Sequence, residues 1–323
     1  MNKIVLDCLG FDNSESEAYA AAFSFCHEFP DAFIEVIGTK KEWMNFSKKY
    51  IIPSNLFFIE CNEKIEQKDL GFSIKDKQGC SMALAISKLQ EDDYCGMVTA
   101  GNSAAFVLEC YSKLKIDEQS TPVLCGMLPN IKKKEASFFL DIGANIDIQP
   151  EKLLLCLPFL VKYYKNNGNN NISIKILSNG EEVSKGNAFT HKTTELLQKN
   201  SEYSKYFDGY VEPTNLLKTN ADIILSDGWS GNLALKGLEG GILSFIEDVK
   251  NNINKRFLFK IFSPLVKMIL KKTIKKLDYN YVGGAILLNV KKVCIKAHGA
   301  SNKISFYHAL KKCYDFANIK QLN

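Results

Sequence analysis

Short apolar runs recur along the chain, most of them followed by a polar turn and then by apolar residues at helical spacing. Lys3–Leu9, Phe33–Gly38, Leu56–Glu60, Gly96–Ala100, Pro122–Leu128, Ser137–Ile142, Ile172–Leu177, Ile223–Leu225, Ala285–Asn289 and Val293–Ala297 read as buried strands. Helices are expected over Glu15–Glu28, Lys40–Tyr50, Ser81–Leu89, Ala104–Leu114, Glu151–Tyr164 and Ser305–Ile319. Others are expected before Lys199 and from Leu233 onward, and Pro150 is placed to open the helix that follows it. Strand alternating with helix argues a mostly parallel sheet covered on both faces. Sequential apolar runs at 122–142 and near the C-terminus imply some antiparallel pairing. Asn62–Gly79 reads as an exposed loop, and the tract KNNGNNN at 165–171 as a surface loop within one continuous domain spanning 1–323.

Five turns share one chemistry. They contain Gly10-Phe11-Asp12-Asn13, Gly101-Asn102-Ser103, Asp141-Ile142-Gly143-Ala144-Asn145, Asp227-Gly228-Trp229-Ser230-Gly231-Asn232 and His298-Gly299-Ala300-Ser301-Asn302. A longer, charged relative runs from Gly180-Glu181-Glu182 to Lys185-Gly186-Asn187. Each follows a strand, and in a parallel sheet such turns gather along one edge. Glycine admits a ligand close to the backbone, Asn and Ser add neutral donors, and helix amino ends favour an anion. Taken singly, each turn is equally well an ordinary capped strand-to-helix connection.

Composition narrows the picture. With 323 residues, 46% hydrophobic and 24% charged, the chain has the makings of a sizeable core. A net charge of +5 is too weak to argue for nucleic acid. The ten cysteines include no CxxC pair, and with four histidines they show no metal-ligand spacing. GxGxxG, GxxxxGK[ST] and GxSxG motifs are absent, which weakens dinucleotide, P-loop and serine-hydrolase readings, and no cofactor or metal is expected. The N-terminus does not read as a signal peptide and no apolar run is long enough to span a bilayer, so a cytosolic protein is expected.

Residues 250–277 stand apart. They hold no acidic residue, and Phe257, Phe259 and Phe262 alternate with cations including Lys267 and Lys271. The expectation is a basic apolar helical insertion at about 250–278, split at Pro264, serving a peripheral membrane contact, an acidic carrier protein or a dimer interface.

The pieces LDCLGFDN, TAGNSAA, LDIGANID, LSNGEEVSKGN, LSDGWSGNLALKGLEGG, YVGGAILLN and KAHGASN occur in the order found in the phosphate acyltransferase (PlsX) family, which this chain resembles over nearly its whole length. The resemblance implies a three-layer α/β/α fold similar to isopropylmalate dehydrogenases and phosphotransacetylases, and a homodimer. It also implies transfer of a fatty acyl group from acyl carrier protein to inorganic phosphate, giving acyl phosphate for phospholipid synthesis. Several positions depart from the family pattern, among them Ile286, where a proline is usual after GGA, and Tyr210–Asn215, which corresponds to an element of the type NxEGRD. Phe11 and Ala104 stand where glycines are usual, and Thr121 where an arginine precedes proline. These departures leave two alternatives open: a catalytically degenerate paralogue acting as a carrier- or membrane-binding scaffold, and a phosphotransacylase for short acyl groups.

On this resemblance Lys185 is expected to bind phosphate or neutralise the oxyanion, with Asn102 and Asn232 as neutral donors. Asp227 is expected to orient Lys185 or Asn232, or else to cap a helix, and His298 to protonate the leaving sulfur. Gly101, Ser103, Asn145, Asn187, Ser230, Gly231 and Asn232 complete the expected phosphate or substrate contacts.

Overall fold

The computed structural model describes residues 2–133, 135–255 and 283–321. Its strands are β1 (Asn2–Asp7), β2 (Ala32–Gly38), β3 (Leu56–Glu60), β4 (Tyr94–Thr99), β5 (Val123–Leu128), β6 (Ser137–Leu140), β7 (Ile174–Leu177), β8 (Phe207–Val211), β9 (Ile223–Leu225), β10 (Ala285–Leu288) and β11 (Val293–Lys296). Its α-helices are α1 (Glu15–Glu28), α2 (Lys40–Ser47), α3 (Ser81–Lys88), α4 (Ser103–Leu114), α5 (Pro150–Leu154), α6 (Leu157–Asn166), α7 (Ala188–Lys199), α8 (Gly228–Lys255) and α9 (Lys303–Gln321).

These elements divide into two compact units. Unit 1 takes the described residues within 1–127, 151–171 and 279–323, and unit 2 those within 128–150 and 172–278. In unit 1 the strands run in the order β3-β2-β1-β4-β11-β10-β5. Pairing is parallel from β3 to β11, and β10 is antiparallel to both β11 and β5. The antiparallel pairing expected near the C-terminus is therefore present. Ile4, Leu6, Ile34, Val36, Met97 and Ile295 are buried along these strands, the signature of a sheet covered on both faces. Helix α1 buries Ala18, Ala22, Phe25 and Cys26 at helical spacing, and its Phe25 ring meets Tyr307 and Tyr314 of α9. Helices α3 and α4 form a second packed pair.

Unit 2 has four parallel strands in the order β6-β9-β7-β8. Two elements differ from expectation. The helix expected over Glu151–Tyr164 is broken into α5 and α6, because Pro158 cannot donate to the preceding turn and instead occupies the first turn of α6. Strand β8, FDGYV, has no counterpart in the apolar pattern, since Asp208 and Gly209 interrupt it.

Among the described residues no helix is long and apolar enough to cross a membrane. The basic apolar stretch, with Phe257, Phe259, Phe262, Lys267 and Lys271, lies outside the described residues, except that 250–255 close α8.

Candidate active-site turns

In unit 1, β1, β4 and β11 are adjacent and parallel, so the turns at their carboxyl ends meet. Asp12 N donates to Gly299 O at 2.9 Å, and Asn13 Nδ2 to the carbonyls of Ala300 and Ser301 at 3.0 Å each. Beneath them Asp7, Thr99 and Lys296 lie in one register row, each the last residue of its strand. Thr99 Oγ1 donates to Asp7 Oδ2 at 2.8 Å and accepts from Gly101 N at 3.0 Å. Lys296 Nζ donates to Ala297 O at 2.6 Å and Ala100 O at 3.3 Å. Burial pushes the Asp7 carboxyl above its ordinary range, opposed by hydrogen bonds from Ser81, Thr99 and Leu9 and by the charge of Lys296. Sequence reasoning singled out neither Asp7 as a site residue nor Lys296. Each reads as the polar end of an apolar strand.

The 62–79 segment is more than an exposed loop. It contains a 3-10 turn at Gly71–Lys75, and Gln67 Nε2 donates to both Gly10 O (2.9 Å) and Ala100 O (2.8 Å). Asn102 is buried and fully engaged. Its Oδ1 caps α4 by accepting from Ala105 N, and its Nδ2 faces the carbonyls of Glu66, Gln67 and Asp69 at 3.3, 3.1 and 2.8 Å. With its two amide protons committed there, Asn102 pins the loop, and the expected role as an oxyanion donor is corrected to that extent. Gly101 and Ser103 flank it, and the N–H groups of Ser103 and Ala104 at the start of α4 meet no acceptor among the described residues. His298 is exposed and its Nδ1 accepts from Ala300 N at 3.2 Å, so in the neutral ring Nε2 carries the proton.

In unit 2 the turn after β6 is built on a buried carboxylate, and it is joined to the turn after β9 by Ser226 Oγ donating to Asp141 O at 3.0 Å and Trp229 N donating to Ile146 O at 3.2 Å. Asp141 Oδ1 accepts from Gly143 N and Ala144 N, and Oδ2 from Asn145 N and Asn145 Nδ2, all at 2.8–2.9 Å. Burial pushes this carboxyl up, and those same donors oppose the shift. Asn145 is thereby committed to Asp141. Asp227 Oδ1 accepts from Ser230 N and its Oδ2 from Ser230 Oγ, each at 2.8 Å, so Asp227 caps α8 and orients Ser230 rather than Lys185 or Asn232. Gly231 N donates to Asp227 O at 2.9 Å. The Asn232 side chain lies over Gly143, where an added Cβ would come within 3.3 Å of it, and it meets no hydrogen-bond partner among the described residues.

Lys185 lies on the loop after β7, the strand beside β9. It is exposed and forms no ion pair with Glu181 or Glu182 among the described residues. Gly186 N donates to Asn179 Oδ1, and Asn187 Oδ1 caps α7 by accepting from Thr190 N and Oγ1. Thus Asn102, Gly101, Ser103 and His298 gather in unit 1. Asn145, Asp227, Ser230, Gly231 and Asn232 gather in unit 2, with Lys185 and Asn187 on the neighbouring loop.

Comparison with known proteins gives these turns a family. The sequence model described as "Fatty acid synthesis protein" matches residues 2–321. The phosphate acyltransferase of Staphylococcus aureus (strain MRSA252) is 34% identical over 315 residues, covering 97% of this chain and 93% of that protein. The chain belongs to the phosphate acyltransferase (PlsX) family. The phosphate acyltransferase of strain Newman is 33% identical over the same share of each chain. Among solved structures, the phosphotransacetylase from Streptococcus pyogenes superposes with a TM-score of 0.57 at 15% identity, covering 99% of this chain and 94% of that one. The EutD phosphotransacetylase from Staphylococcus aureus gives 0.58 at 13%, covering 100% and 94%. At these identities the likeness concerns the fold, the three-layer α/β/α arrangement expected for a PlsX chain.

The departures from the PlsX pattern are accommodated locally. The Phe11 ring packs edge-on against Phe306 with centroids 5.0 Å apart. Ala104 is tight against Gly71, where an added Cβ would lie 2.7 Å from its own. The carbonyl of Thr121 accepts from Asn289 Nδ2 at 3.0 Å.

Proposed function

We infer that this acyltransferase moves a fatty acyl group from acyl carrier protein to inorganic phosphate, forming acyl phosphate for phospholipid synthesis. The observation that carries this reading is 34% identity with a phosphate acyltransferase over 97% of the chain. A phosphate oxygen attacks the thioester carbonyl, the tetrahedral oxyanion collapses, the C–S bond breaks and the thiolate takes up a proton. Positioning and electrostatics are the levers for such a step, which needs no covalent enzyme intermediate. In this reading Lys185 neutralises negative charge on phosphate or oxyanion, and the Asn232 amide, without a partner among the described residues, donates to oxygen. His298, with Nδ1 held by Ala300 N, gives the Nε2 proton to the leaving sulfur. Gly101, Ser103, Asn187, Ser230 and Gly231 line the turns that receive the substrates.

Three further attributes belong to the same proposal. The protein works as a homodimer, supported by the exposed Trp229, Leu233, Leu243 and Phe245 of α8. Residues 250–277, rich in Lys and Phe, contact acyl carrier protein or the inner membrane face. The chain is one functional domain acting in the cytoplasm.

The test is incubation of purified protein with acyl carrier protein thioesters and phosphate. Phosphate-dependent thiol release is expected, and Lys185→Ala lowers it roughly a hundredfold. Absence of release at every acyl chain length would overturn the enzymatic reading in favour of a non-catalytic carrier-binding relative, which Phe11, Ala104 and Thr121 favour. Preference for short acyl thioesters would mark a short-chain phosphotransacylase.

A further inference from the structure

Lys296 is a cation in an unusual place. It ends a strand at the middle of unit 1, is 8% exposed, and directs its ammonium to two main-chain carbonyls. Lysine is seldom buried, because removing an ammonium from water costs several kcal/mol. A methionine of similar length would fill the same space without that cost. The charge therefore calls for a reason other than packing.

The two carbonyls supply one. Parallel strands end in C=O groups, whose partial negative charge opposes an anion. Ala100 and Ala297 are the residues immediately before Gly101-Asn102-Ser103 and His298. By binding both oxygens, Lys296 neutralises the negative ends of the two peptides that lead into these turns. Gln67 adds a second donor to Ala100 O, and Thr99 Oγ1 holds Gly101 N, so the peptide joining Ala100 to Gly101 is tied at both ends. Three donors in the turns after β4 and β11 lack partners among the described residues. The Ser103 and Ala104 N–H groups at the start of the twelve-residue α4 meet no acceptor among the described residues. The fully buried Ser301 hydroxyl, in the turn after β11, meets no hydrogen-bond partner there either.

We propose that Lys296, seated on the Asp7–Thr99 row, is the positioning residue that sets the unit-1 turns to hold an oxyanion, and that inorganic phosphate is the ligand it prepares them for. This rests on the acyl-transfer reading only for the identity of the anion. Asp7 belongs to the same device. Its hydrogen bond with Thr99 fixes the hydroxyl that holds Gly101 N, and it shares the register row with Lys296.

Calorimetric titration of inorganic phosphate into the full chain tests this without relying on turnover, alongside steady-state KM values for phosphate and for the acyl thioester. Lys296→Met is expected to weaken phosphate binding at least about tenfold and to raise the phosphate KM in step, with the thioester KM nearly unchanged. The double variant Asp7→Asn/Lys296→Met leaves no unpaired buried charge. It is expected to keep or raise Tm while remaining as weak for phosphate. Wild-type phosphate affinity in both variants would overturn the inference. So would a loss of binding that tracks a loss of folded protein in the double variant, because that is a purely structural role. A wild-type protein that titrates no phosphate would overturn this inference and the acyl-transfer reading together. Variants that match a phosphate-binding wild type would overturn this inference alone.

Discussion

The two units hold similar turns by different means. In unit 1 the loops are tied by long side chains reaching across strands: Lys296 to Ala100 and Ala297, Gln67 to Gly10 and Ala100, Asn102 to the 62–79 segment. In unit 2 they are tied by close backbone approach and one short carboxylate. Gly228 lies against Asn145 O, Gly231 against Asp141 O, and Asp141 gathers three N–H groups and an amide. The difference bears on what each region tolerates. Side-chain ties can shift when a neighbour grows, whereas a turn built on glycine contacts has no slack.

The largest expected effect attacks that difference directly. A Cβ at Gly231 would overlap the Asp141 carbonyl oxygen and crowd Ser226 Oγ, both fixed within the β6–β9 connection. Gly231→Ala is expected to cost about 3 kcal/mol in denaturant unfolding. Gly101→Ala in unit 1 meets the Met82 methyl at 2.7 Å, the mobile end of a flexible side chain, and is expected to cost only about 1 kcal/mol. Equal costs would break the comparison.

The cations sharpen it next. Lys185 is exposed and Lys296 buried, so only the first is placed to be removed without structural consequence. Lys185→Ala is expected to leave Tm unchanged and to lower kcat roughly a hundredfold in the thiol-release assay. A Tm that falls with activity would reassign Lys185 to structure.

A smaller effect comes from the cap of α8. Asp227→Ala removes acceptors from Ser230 N and Oγ and is expected to cost about 1 kcal/mol in unfolding free energy. Asp227→Asn should recover most of it.

The smallest concerns a second cation of unit 1. Lys312 of α9 donates to Gly284 O at 2.6 Å, and burial pulls its ammonium from the ordinary 10.5 down to about 7. The unfolded chain then holds this proton between those pH values while the folded protein does not. Stability from this group rises as pH increases from about 7 toward 10.5. Lys312→Met should flatten that slope, read from unfolding free energies across the window, and an unchanged slope would place the titration elsewhere.

Much of this molecule is legible from local chemistry. The turns were visible because Gly, Asn, Ser and Asp are what a strand-to-helix connection requires, and the caps at Asn102, Asn187 and Asp227 follow from the same rule. Strands such as Leu56–Glu60 showed themselves as apolar runs. Other features were hidden for definite reasons. Strand β8 carries Asp208 and Gly209, so it exists through its pairing with β7 rather than through its own pattern. The 62–79 segment reads as polar loop, and only the Gln67 and Asn102 amides reveal what it fastens.

The sequence by itself determined the alternation of strand and helix, the residues at each turn and, through its motifs, the acyltransferase family. Hydrophobic period and turn chemistry are written within a few residues of each other, so they need no distant partner. Only the tertiary structure decided that Asp7, Thr99 and Lys296 form one row. They come from strands far apart in the chain, and register between parallel strands brings together the last residue of each. The same holds for which amides are already spent. Asn102, Asn145 and Asn232 look alike in sequence, yet the first two are held by neighbouring main chain or carboxylate while Asn232 meets no such partner among the described residues. A hydrogen bond across the fold depends on where the chain returns, which no local pattern encodes.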